Sequence, residues 1–290
     1  MQKILIQFDT DGQPSTFDQV VAVDAGAERL FSYGGVTETN VEGLVHGAIF
    51  TRGPADLKNT AIFVGGSNVA VCEQLVRKIQ NTFFGPMRVS VIMDSNGCNT
   101  TAAAAVAVAK THISLSGSNA LVLGGTGPVG QRVAQLLTAE NCRVRLGSRS
   151  RERAADVCDA ISGGLDSAQL EPVAAAAAES CLAAAKGMDM LFAAGAAGAC
   201  FLPEGTLSSI SGLKVAIDLN AVPPTGIADI APTDHGMDRN GVVCCGALGV
   251  GGIKMKVHKR AIRQLFEAND RILDTSEIYQ LALEVAGLPS

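Results

Sequence analysis

The chain of 290 residues is long enough for two domains of ordinary size, and its hydrophobic content of 47% is ample for buried cores. A formal net charge of −5 and the absence of tryptophan argue against a nucleic-acid-binding or membrane-binding surface. Residues 1–8 lack the features of a secretion signal, and no apolar run is long enough to cross a bilayer, so we expect a cytoplasmic protein.

The cysteine pattern indicates neither a disulfide framework nor a metal site. The eight cysteines are scattered without a Cys-x-x-Cys pair, and only four histidines could join them as ligands. Most of the cysteines lie in apolar runs, which is typical of small core residues with reduced thiols. We therefore expect no metal ion.

The first hundred residues alternate between apolar runs and amphipathic stretches, which predicts an α/β domain. The predicted strands are residues 3–8, 48–51, 60–64 and 88–93. The predicted helices are one capped by Thr16, one over residues 37–45 and one capped by Ser67. A polar loop, residues 9–15, follows the first strand, at the position where open α/β sheets bind ligands.

A dense polar segment, residues 94–101, follows the fourth predicted strand and opens a helix over residues 102–110. It reads Asp94-Ser95-Asn96-Gly97-Cys98-Asn99-Thr100-Thr101. Capping of the helix explains part of this composition. One cap does not require an aspartate, two asparagines and two threonines, so we expect a ligand role for the segment as well.

The centre of the chain carries a glycine-rich turn with the spacing G-x-G-x-x-G. An apolar strand at residues 120–123 leads into Gly125-Thr126-Gly127-Pro128-Val129-Gly130, and a helix and a second strand at residues 142–146 follow. The first glycine permits the tight turn, the second lets a pyrophosphate approach the backbone, and the third lets the helix pack closely on the strand. The amides and dipole of the helix N-terminus would hold the phosphates. The unit predicts dinucleotide binding.

The end of the second strand favours NADP over NAD. Enzymes that use NAD usually carry an acidic residue there, which binds the ribose 2′-hydroxyl. This chain has Gly147-Ser148-Arg149-Ser150-Arg151 instead. Arginine and serine suit a 2′-phosphate, which a carboxylate would repel. The alternative is a solvated basic turn that opens the next helix.

The rest of the chain completes a Rossmann-type parallel sheet with five predicted strands. Helices are predicted at residues 151–161 and 173–186, and further strands at residues 188–192, 214–217 and 241–245. After the first of these strands, the small residues Ala194 and Gly195 would let a nicotinamide ribose lie against the backbone. Asn220, in the segment after the next strand, is included among the candidate cofactor-binding residues.

Two lysines, Lys254 and Lys256, lie in the first turn of a helix predicted over residues 253–268, directly after a glycine-rich segment. Lysines are electrostatically unfavourable at a helix N-terminus, so this pattern indicates an anionic or acceptor-rich ligand; the alternative is two solvated lysines. The two side chains point about 200° apart and cannot both face one small target. We expect Lys256 at the reacting carbon, since Lys254 shares a face with His258. A final helix over residues 276–286 is expected to return to the first domain.

Six segments together resemble the NADP-dependent methylene-tetrahydromethanopterin dehydrogenases of methylotrophic bacteria, some of which also accept methylene-tetrahydrofolate. They are residues 8–28, 60–66, 83–104, 124–130, 218–230 and 246–258. The resemblance implies a pterin-binding α/β domain (residues 1–100 with 269–290), an NADP-binding Rossmann domain (residues 101–268) and an active site in the cleft between them. It also implies a homo-oligomer, with three copies expected. Ser148-Arg149-Ser150 departs from the glycine, arginine and lysine that members often carry there.

The same resemblance implies which residues contact the pterin, either tetrahydromethanopterin or tetrahydrofolate. The expected substrate-binding residues are Thr10, Asp11, Pro14, Ser15, Asp18, Asp94, Asn96, Asn99, Thr100 and His258. Lys254 and Lys256 would lie near the reacting carbon or the pterin. Oxidation of the methylene bridge moves a hydride to nicotinamide and leaves a resonance-stabilised cation, so the protein mainly needs to align two rings. The alternatives are a dehydrogenase of another small substrate, of the shikimate type, and a non-catalytic protein that senses NADPH.

Overall fold

The structure, a computed structural model, describes residues 1–163 and 169–289, and it divides into two compact units. The first unit comprises Met1–Thr100 and Met255–Leu281, and the second comprises Thr101–Lys254 and the residues from Ala282 onward. The expected boundary at residue 268 therefore differs from the structural one. Residues after 254 join the first unit because His258 stacks on Phe63, with ring centroids 5.8 Å apart, and Lys259 forms a 2.8 Å ion pair with Asp24.

The strands of the described chain are β1 (Ile4–Asp9), β2 (Arg29–Tyr33), β3 (Thr60–Gly65), β4 (Ser90–Met93), β5 (Asn119–Leu123), β6 (Arg143–Ser148), β7 (Leu170–Ala174), β8 (Met190–Ala193), β9 (Val215–Asp218), β10 (His235–Arg239), β11 (Val242–Cys245) and β12 (Ile272–Leu273). The α-helices are α1 (Thr16–Asp24), α2 (Val41–Ile49), α3 (Val69–Thr82), α4 (Cys98–Lys110), α5 (Pro128–Ala139), α6 (Arg151–Ser162), α7 (Ala178–Ala185), α8 (Ala247–Gln264) and α9 (Thr275–Ala286).

The first unit is built on a parallel sheet with the order β12-β4-β3-β1-β2. The predicted strand at residues 48–51 is wrong, because α2 continues to Ile49 and buries Val41, Val45, Ala48 and Ile49 at helical spacing. The edge strand β2 was not predicted. Most of its residues are exposed, so it lacks the continuous apolar run of a buried parallel strand.

Two predicted helix caps are each displaced by one residue. Ser15, not Thr16, caps α1 by accepting a 3.3 Å hydrogen bond from the amide of Asp18. Asn68, not Ser67, caps α3 through a 3.2 Å bond from the amide of Val71. In both caps, a side-chain oxygen accepts a hydrogen bond from a backbone amide that has no partner within the helix.

The second unit has the sheet order β10-β11-β9-β8-β5-β6-β7, in which the six strands other than β10 are parallel. This is the Rossmann order, with β5 as the first strand and β10 as an antiparallel addition at one edge. The sequence predicted five of these strands. It missed β10, and it assigned residues 173–186 to one helix, whereas β7 ends at Ala174 and α7 begins at Ala178.

Helix α8 begins at Ala247, six residues before the predicted start at Ile253. The glycine-rich stretch is therefore helical and not a loop. A glycine is needed within it because a Cβ atom on Gly249 would collide with the carbonyl group of Asp234. No helix in the described part of the chain is both long and apolar enough to span a membrane.

Candidate cofactor and substrate sites

The glycine turn joins β5 to α5, and packing explains most of its glycines. The backbone of Gly124 has a φ of +71°, a conformation that favours glycine. A Cβ atom on Gly125 would lie 2.6 Å from the side chain of Leu146, and one on Gly130 would lie 2.5 Å from the carbonyl oxygen of Gly124. These glycines therefore allow the close approach of helix, turn and strand that the sequence motif predicts.

Gly127 is different, because the protein leaves room beside it. A Cβ atom there would meet no atom of another residue closer than 3.4 Å. Gly127 is also the N-cap of α5, and no side chain caps the first turn of the helix, which begins at Pro128. The amides of this turn are therefore available to an external anion. The turn fits the pyrophosphate of a dinucleotide.

A pocket of about 290 Å³ opens beside this turn. Its lining residues are Gly124, Thr126, Gly127, Ser148, Arg149, Arg153, Ala175, Ala194, Gly195, Ala196, Ala199 and Phe201. The structure thus brings together six of the predicted cofactor-binding residues, which come from the glycine turn and from the ends of β6 and β8. Small residues form much of the wall, and the Phe201 ring lies against Gly195, where a Cβ atom would be 2.5 Å from it.

The charged side chains that line this pocket are the arginines Arg149 and Arg153, both exposed. Ser148 is buried, and its hydroxyl lies 3.4 Å from the hydroxyl of Thr126. Among the described residues, none that lines the pocket is acidic, so these residues offer two guanidinium groups to an anion and no carboxylate to repel it. Arg153 was not among the predicted residues. It lies in the first turn of α6, and a helix start at Arg151 is the signal that could have placed it beside Arg149.

The other predicted cofactor residues lie outside the pocket lining. Gly125, Pro128, Val129 and Gly130 form the turn and the start of α5. Ser150 caps α6: its hydroxyl oxygen accepts from the amide of Arg153, and its O–H donates to the Glu152 carboxylate, which lowers the pKa of that carboxyl. The hydroxyl of Ser150 is therefore already engaged within the protein.

Asn220 likewise supports a loop. Its amide nitrogen donates to the carbonyl of Pro224 at 3.1 Å, and its side-chain oxygen accepts from the amide of Val222 at 3.1 Å. The neighbouring Asp218, 1% exposed, accepts from the amides of Asn220 and Ile227. Burial raises the pKa of the Asp218 carboxyl, although these amide hydrogen bonds oppose the shift. Together the two side chains hold the segment that follows β9.

A second, polar pocket of about 180 Å³ lies in the first unit, at the carboxyl ends of β1, β3 and β4. It is lined by Asp9, Asp11, Gln13, Ser15, Asp18, Gly66, Ser67 and Asn96. Four of the predicted substrate-binding residues, Asp11, Ser15, Asp18 and Asn96, meet here. Gln13 and Ser67 also line the pocket, although neither was among the predicted substrate-binding residues. Ser67 lies just after the carboxyl end of β3, which is where open sheets bind ligands. Its hydroxyl donates a 2.9 Å hydrogen bond to Asp11.

The loop after β1 is shaped by Asp9, which is 1% exposed. Its carboxylate accepts from the amides of Asp11 at 3.0 Å and Ser15 at 3.1 Å. Thr10 is half-buried, its hydroxyl lies 3.6 Å from the sulfur of Cys72, and it does not line the pocket. Pro14 is half-buried and lines neither pocket.

The polar segment after β4 is mostly a buried framework. Asp94, Asn99 and Thr100 are 0% exposed. Asp94 accepts from the amides of Asn99 and Thr100 and, at 2.6 Å, from the hydroxyl of Thr100. The side chain of Asn99 donates to Met93 and accepts from Thr275. Hydrogen bonds within the unit thus account for these three residues, whereas the exposed Asn96, with φ of +49°, points to the pocket.

His258 belongs to the same buried framework. It is 0% exposed, its ring stacks on Phe63, and its Nδ1 lies 3.9 Å from a carboxylate oxygen of Asp94. Lys254, four residues earlier on α8, is half-buried, and Lys256 is exposed. Because α8 begins at Ala247, Lys254 and Lys256 lie seven and nine residues after its start, well beyond the first turn. The argument from an unfavourable helix N-terminus therefore does not apply to them.

The described residues contain no cluster of histidine, cysteine, aspartate and glutamate side chains that could hold a metal ion. They also contain no disulfide. Seven cysteines are buried, and Cys200 is exposed. Burial raises the pKa of Cys142 and of Cys244 to about 12, so these thiols stay protonated near neutral pH.

Comparison with known proteins relates the chain to one family. Residues 16–96 match the family described as methylene-tetrahydromethanopterin dehydrogenase, N-terminal. The bifunctional protein MdtA of Methylorubrum extorquens is 44% identical over 289 residues, which cover 98% of this chain and 99% of that protein. The NAD(P)-dependent methylenetetrahydromethanopterin dehydrogenase of the same organism is 34% identical over 94% of this chain and 95% of its own length.

Solved structures show the same fold at low sequence identity. The 5-ketofructose reductase of Gluconobacter sp. strain CHM43 is 16% identical with a TM-score of 0.56, and it covers 98% of this chain and 99% of its own. Quinate dehydrogenase from Corynebacterium glutamicum, in complex with NAD, is 15% identical with a TM-score of 0.54 at the same coverage. These matches concern the fold alone. The sequence relatives, aligned over nearly their whole length, show that the chain belongs to the methylene-tetrahydromethanopterin dehydrogenase family.

Proposed function

We propose that the protein is an oxidoreductase that oxidises methylene-tetrahydromethanopterin to its methenyl form with a nicotinamide cofactor, by direct hydride transfer. The observation that carries the proposal is the match along nearly the whole chain to a relative named as an NAD(P)-dependent methylenetetrahydromethanopterin dehydrogenase. The glycine turn, with an uncapped helix start and open space beside Gly127, supports a dinucleotide as the cofactor. When bound, that cofactor supplies the acceptor for the hydride.

The preferred cofactor is NADP. The support is the pocket beside the glycine turn, where the described lining residues include Arg149 and Arg153 and no acidic side chain. A guanidinium group binds a phosphate through two parallel hydrogen bonds, whereas NAD offers only a hydroxyl at the same position. The buried hydroxyl of Ser148 and that of Thr126 add neutral hydrogen-bonding groups to the wall.

The polar pocket of the first unit binds the pterin ring in this proposal. A pterin presents N–H donors along one edge, and the carboxylates of Asp11 and Asp18 with the amide of Asn96 supply acceptors. Asp9 holds the loop that carries Asp11 and Ser15, so it positions these groups without facing the ligand itself. Lys256 remains our candidate for the residue at the reacting carbon, and Lys254 for a contact with the rest of the pterin.

The proposal extends to three further properties. Methylene-tetrahydrofolate is an alternative substrate, because it presents the same reacting bridge between two nitrogens. The protein is a homo-oligomer, with three copies expected. It acts in the cytoplasm, where thiols such as those of the eight cysteines stay reduced.

The test is to mix the protein with NADP and either methylene-tetrahydromethanopterin or methylene-tetrahydrofolate, and to follow the absorbance of the methenyl product and of NADPH. We expect both products to form in equal amounts with at least the first substrate. The same assay with shikimate or quinate separates the proposal from a dehydrogenase of another small substrate. Binding of NADPH without turnover of any of these compounds would instead identify a sensor.

A further inference from the structure

Asp218, the last residue of β9, is a buried carboxylate that binds backbone amides. It is 1% exposed, and it does not line the pocket beside the glycine turn. Its oxygens accept from the amides of Asn220 at 3.0 Å and Ile227 at 2.8 Å, and the amide of Gly226 donates to it as well. Because burial of a carboxylate without hydrogen-bond partners is costly, these bonds hold the chain to the side chain. The carboxylate therefore fixes the backbone of Gly226 and Ile227.

The backbone that Asp218 fixes is bonded in turn to the segment that carries Phe201. The carbonyl oxygen of Gly226 accepts from the amides of Phe201 at 2.8 Å and Leu202 at 3.1 Å. Leu202 also forms a parallel bridge with Ile227, and both side chains are 0% exposed. A glycine is needed at position 226, because a Cβ atom there would lie 3.0 Å from a carboxylate oxygen of Asp218. Two successive sets of hydrogen bonds therefore connect Asp218 to Phe201.

Phe201 belongs to the wall of the pocket beside the glycine turn. Its half-buried ring packs on Gly195, where a Cβ atom would be 2.5 Å from the ring. Gly195 packs in turn on Gly124, where a Cβ atom would lie 2.8 Å from the Gly195 backbone. All three residues line the pocket. The position of the Phe201 ring therefore sets how closely the chain after β8 approaches the glycine turn.

We propose that Asp218 is a positioning residue for the nicotinamide cofactor: it holds Phe201 against Gly195, and the wall so formed contacts the part of the dinucleotide that NAD and NADP share. This inference rests on the dinucleotide site proposed above. In the sheet order, β8 and β6 lie on opposite sides of β5. The wall after β8 is therefore separate from Arg149, which follows β6. Gly195 and Phe201 carry no charge, so they do not favour a 2′-phosphate over a hydroxyl.

The test measures dissociation constants for NADPH and NADH, by nicotinamide fluorescence, in the full-length protein and its variants. Asp218→Asn keeps the shape of the side chain but replaces one acceptor oxygen by an N–H donor, so it cannot accept from all of the amides. We expect Asp218→Asn and Phe201→Ala each to raise both dissociation constants roughly ten-fold, as for the loss of one hydrogen bond. The KM for the pterin should stay unchanged.

Asp229 provides the matched control. It too is an aspartate that accepts from two backbone amides, those of Gly205 at 2.7 Å and Leu207 at 2.9 Å, and it does not line the pocket. Asp229→Asn loses a comparable set of hydrogen bonds and should leave both dissociation constants unchanged. Thermal melting of each variant measures the accompanying loss of stability. The comparison therefore separates a role in cofactor binding from a general role in folding.

A double variant tests whether Asp218 acts through Phe201. If it does, Asp218→Asn combined with Phe201→Ala should bind NADPH no more weakly than Phe201→Ala alone, whereas independent effects would multiply to roughly a hundred-fold. If Asp218→Asn does not fold, Gly226→Ala, which displaces the same carboxylate, replaces it in this comparison.

Four results would overturn the proposal. They are a multiplied loss in the double variant, normal binding by either single variant, a loss confined to NADPH, and an equal loss in Asp229→Asn. A wild type that binds neither NADPH nor NADH would contradict the proposed cofactor itself, and this inference with it.

Discussion

Substitution of Arg149 and Arg153 by alanine should selectively weaken the use of NADP. Both guanidinium groups line the pocket beside the glycine turn, and no lining residue in the described part of the chain is acidic. A charge-assisted hydrogen bond contributes about 1.5–3 kcal/mol, which corresponds to roughly 10–150-fold in affinity. Because both side chains are exposed, solvent screening moves the expected effect to the lower end of this range. We therefore expect each single variant to raise the KM for NADP roughly ten-fold and the double variant roughly a hundred-fold.

Arg151 provides the matched control in the same segment. Its side chain donates a 3.3 Å hydrogen bond to the carbonyl of Pro172 and does not line the pocket. Arg151→Ala should leave the KM for NADP unchanged, and none of these variants should alter the KM for NAD by much, because NAD lacks the 2′-phosphate. Steady-state kinetics with both cofactors, together with direct binding of NADPH by fluorescence, measure this. Equal losses with NADP and NAD, or an equal loss in Arg151→Ala, would refute the reasoning.

Substitutions of two glycines in the turn should have different effects. Gly130→Ala should lower the melting temperature, because a Cβ atom there would lie 2.5 Å from a backbone oxygen. Gly127→Ala should leave the melting temperature unchanged and weaken binding of the dinucleotide, because the space beside Gly127 is open. Circular dichroism melts and cofactor titration distinguish the two outcomes. Lys256→Ala should depress kcat strongly with little effect on the KM for NADP, and Lys254→Ala should mainly raise the KM for the pterin. The reverse pattern would exchange the two roles, and normal kinetics in both would identify solvated lysines. Titration with a thiol reagent at pH 8 should label Cys200 rapidly and the buried cysteines slowly; Cys200→Ser should abolish the fast phase.

The glycine turn was predictable because its chemistry is local. Gly130 packs on the backbone of Gly124, and Gly125 packs on Leu146 of the next strand, β6, so both contacts lie within the strand–helix–strand unit that the sequence pattern shows. The same holds for Arg149, which directly follows β6. Arg153 was missed although the start of α6 at Arg151 was predicted, because its place in the pocket wall also depends on how that helix packs.

Other features depended on tertiary packing and were mispredicted or missed. The stretch before Ile253 is rich in glycine, which normally disfavours a helix, yet it is helical because α8 packs its backbone against the Asp234 segment. Strand β2 is an exposed edge without the pattern of a buried strand. Asp94 and Asn99 have the composition of a binding segment, and sequence alone cannot distinguish such side chains from the buried hydrogen-bond framework that the structure contains.

Direct hydride transfer from the pterin carbon to NADP is the central claim, and isotope transfer tests it most directly. The substrate is methylene-tetrahydromethanopterin with two deuterium atoms on the methylene carbon, and mass spectrometry or NMR reads the reduced nicotinamide. We predict that the NADPH formed carries one deuterium atom at C4 and that the methenyl product keeps the other. NADPH without deuterium, formed from this substrate in ordinary water, would contradict direct transfer, and the absence of any NADPH would contradict the proposed function itself.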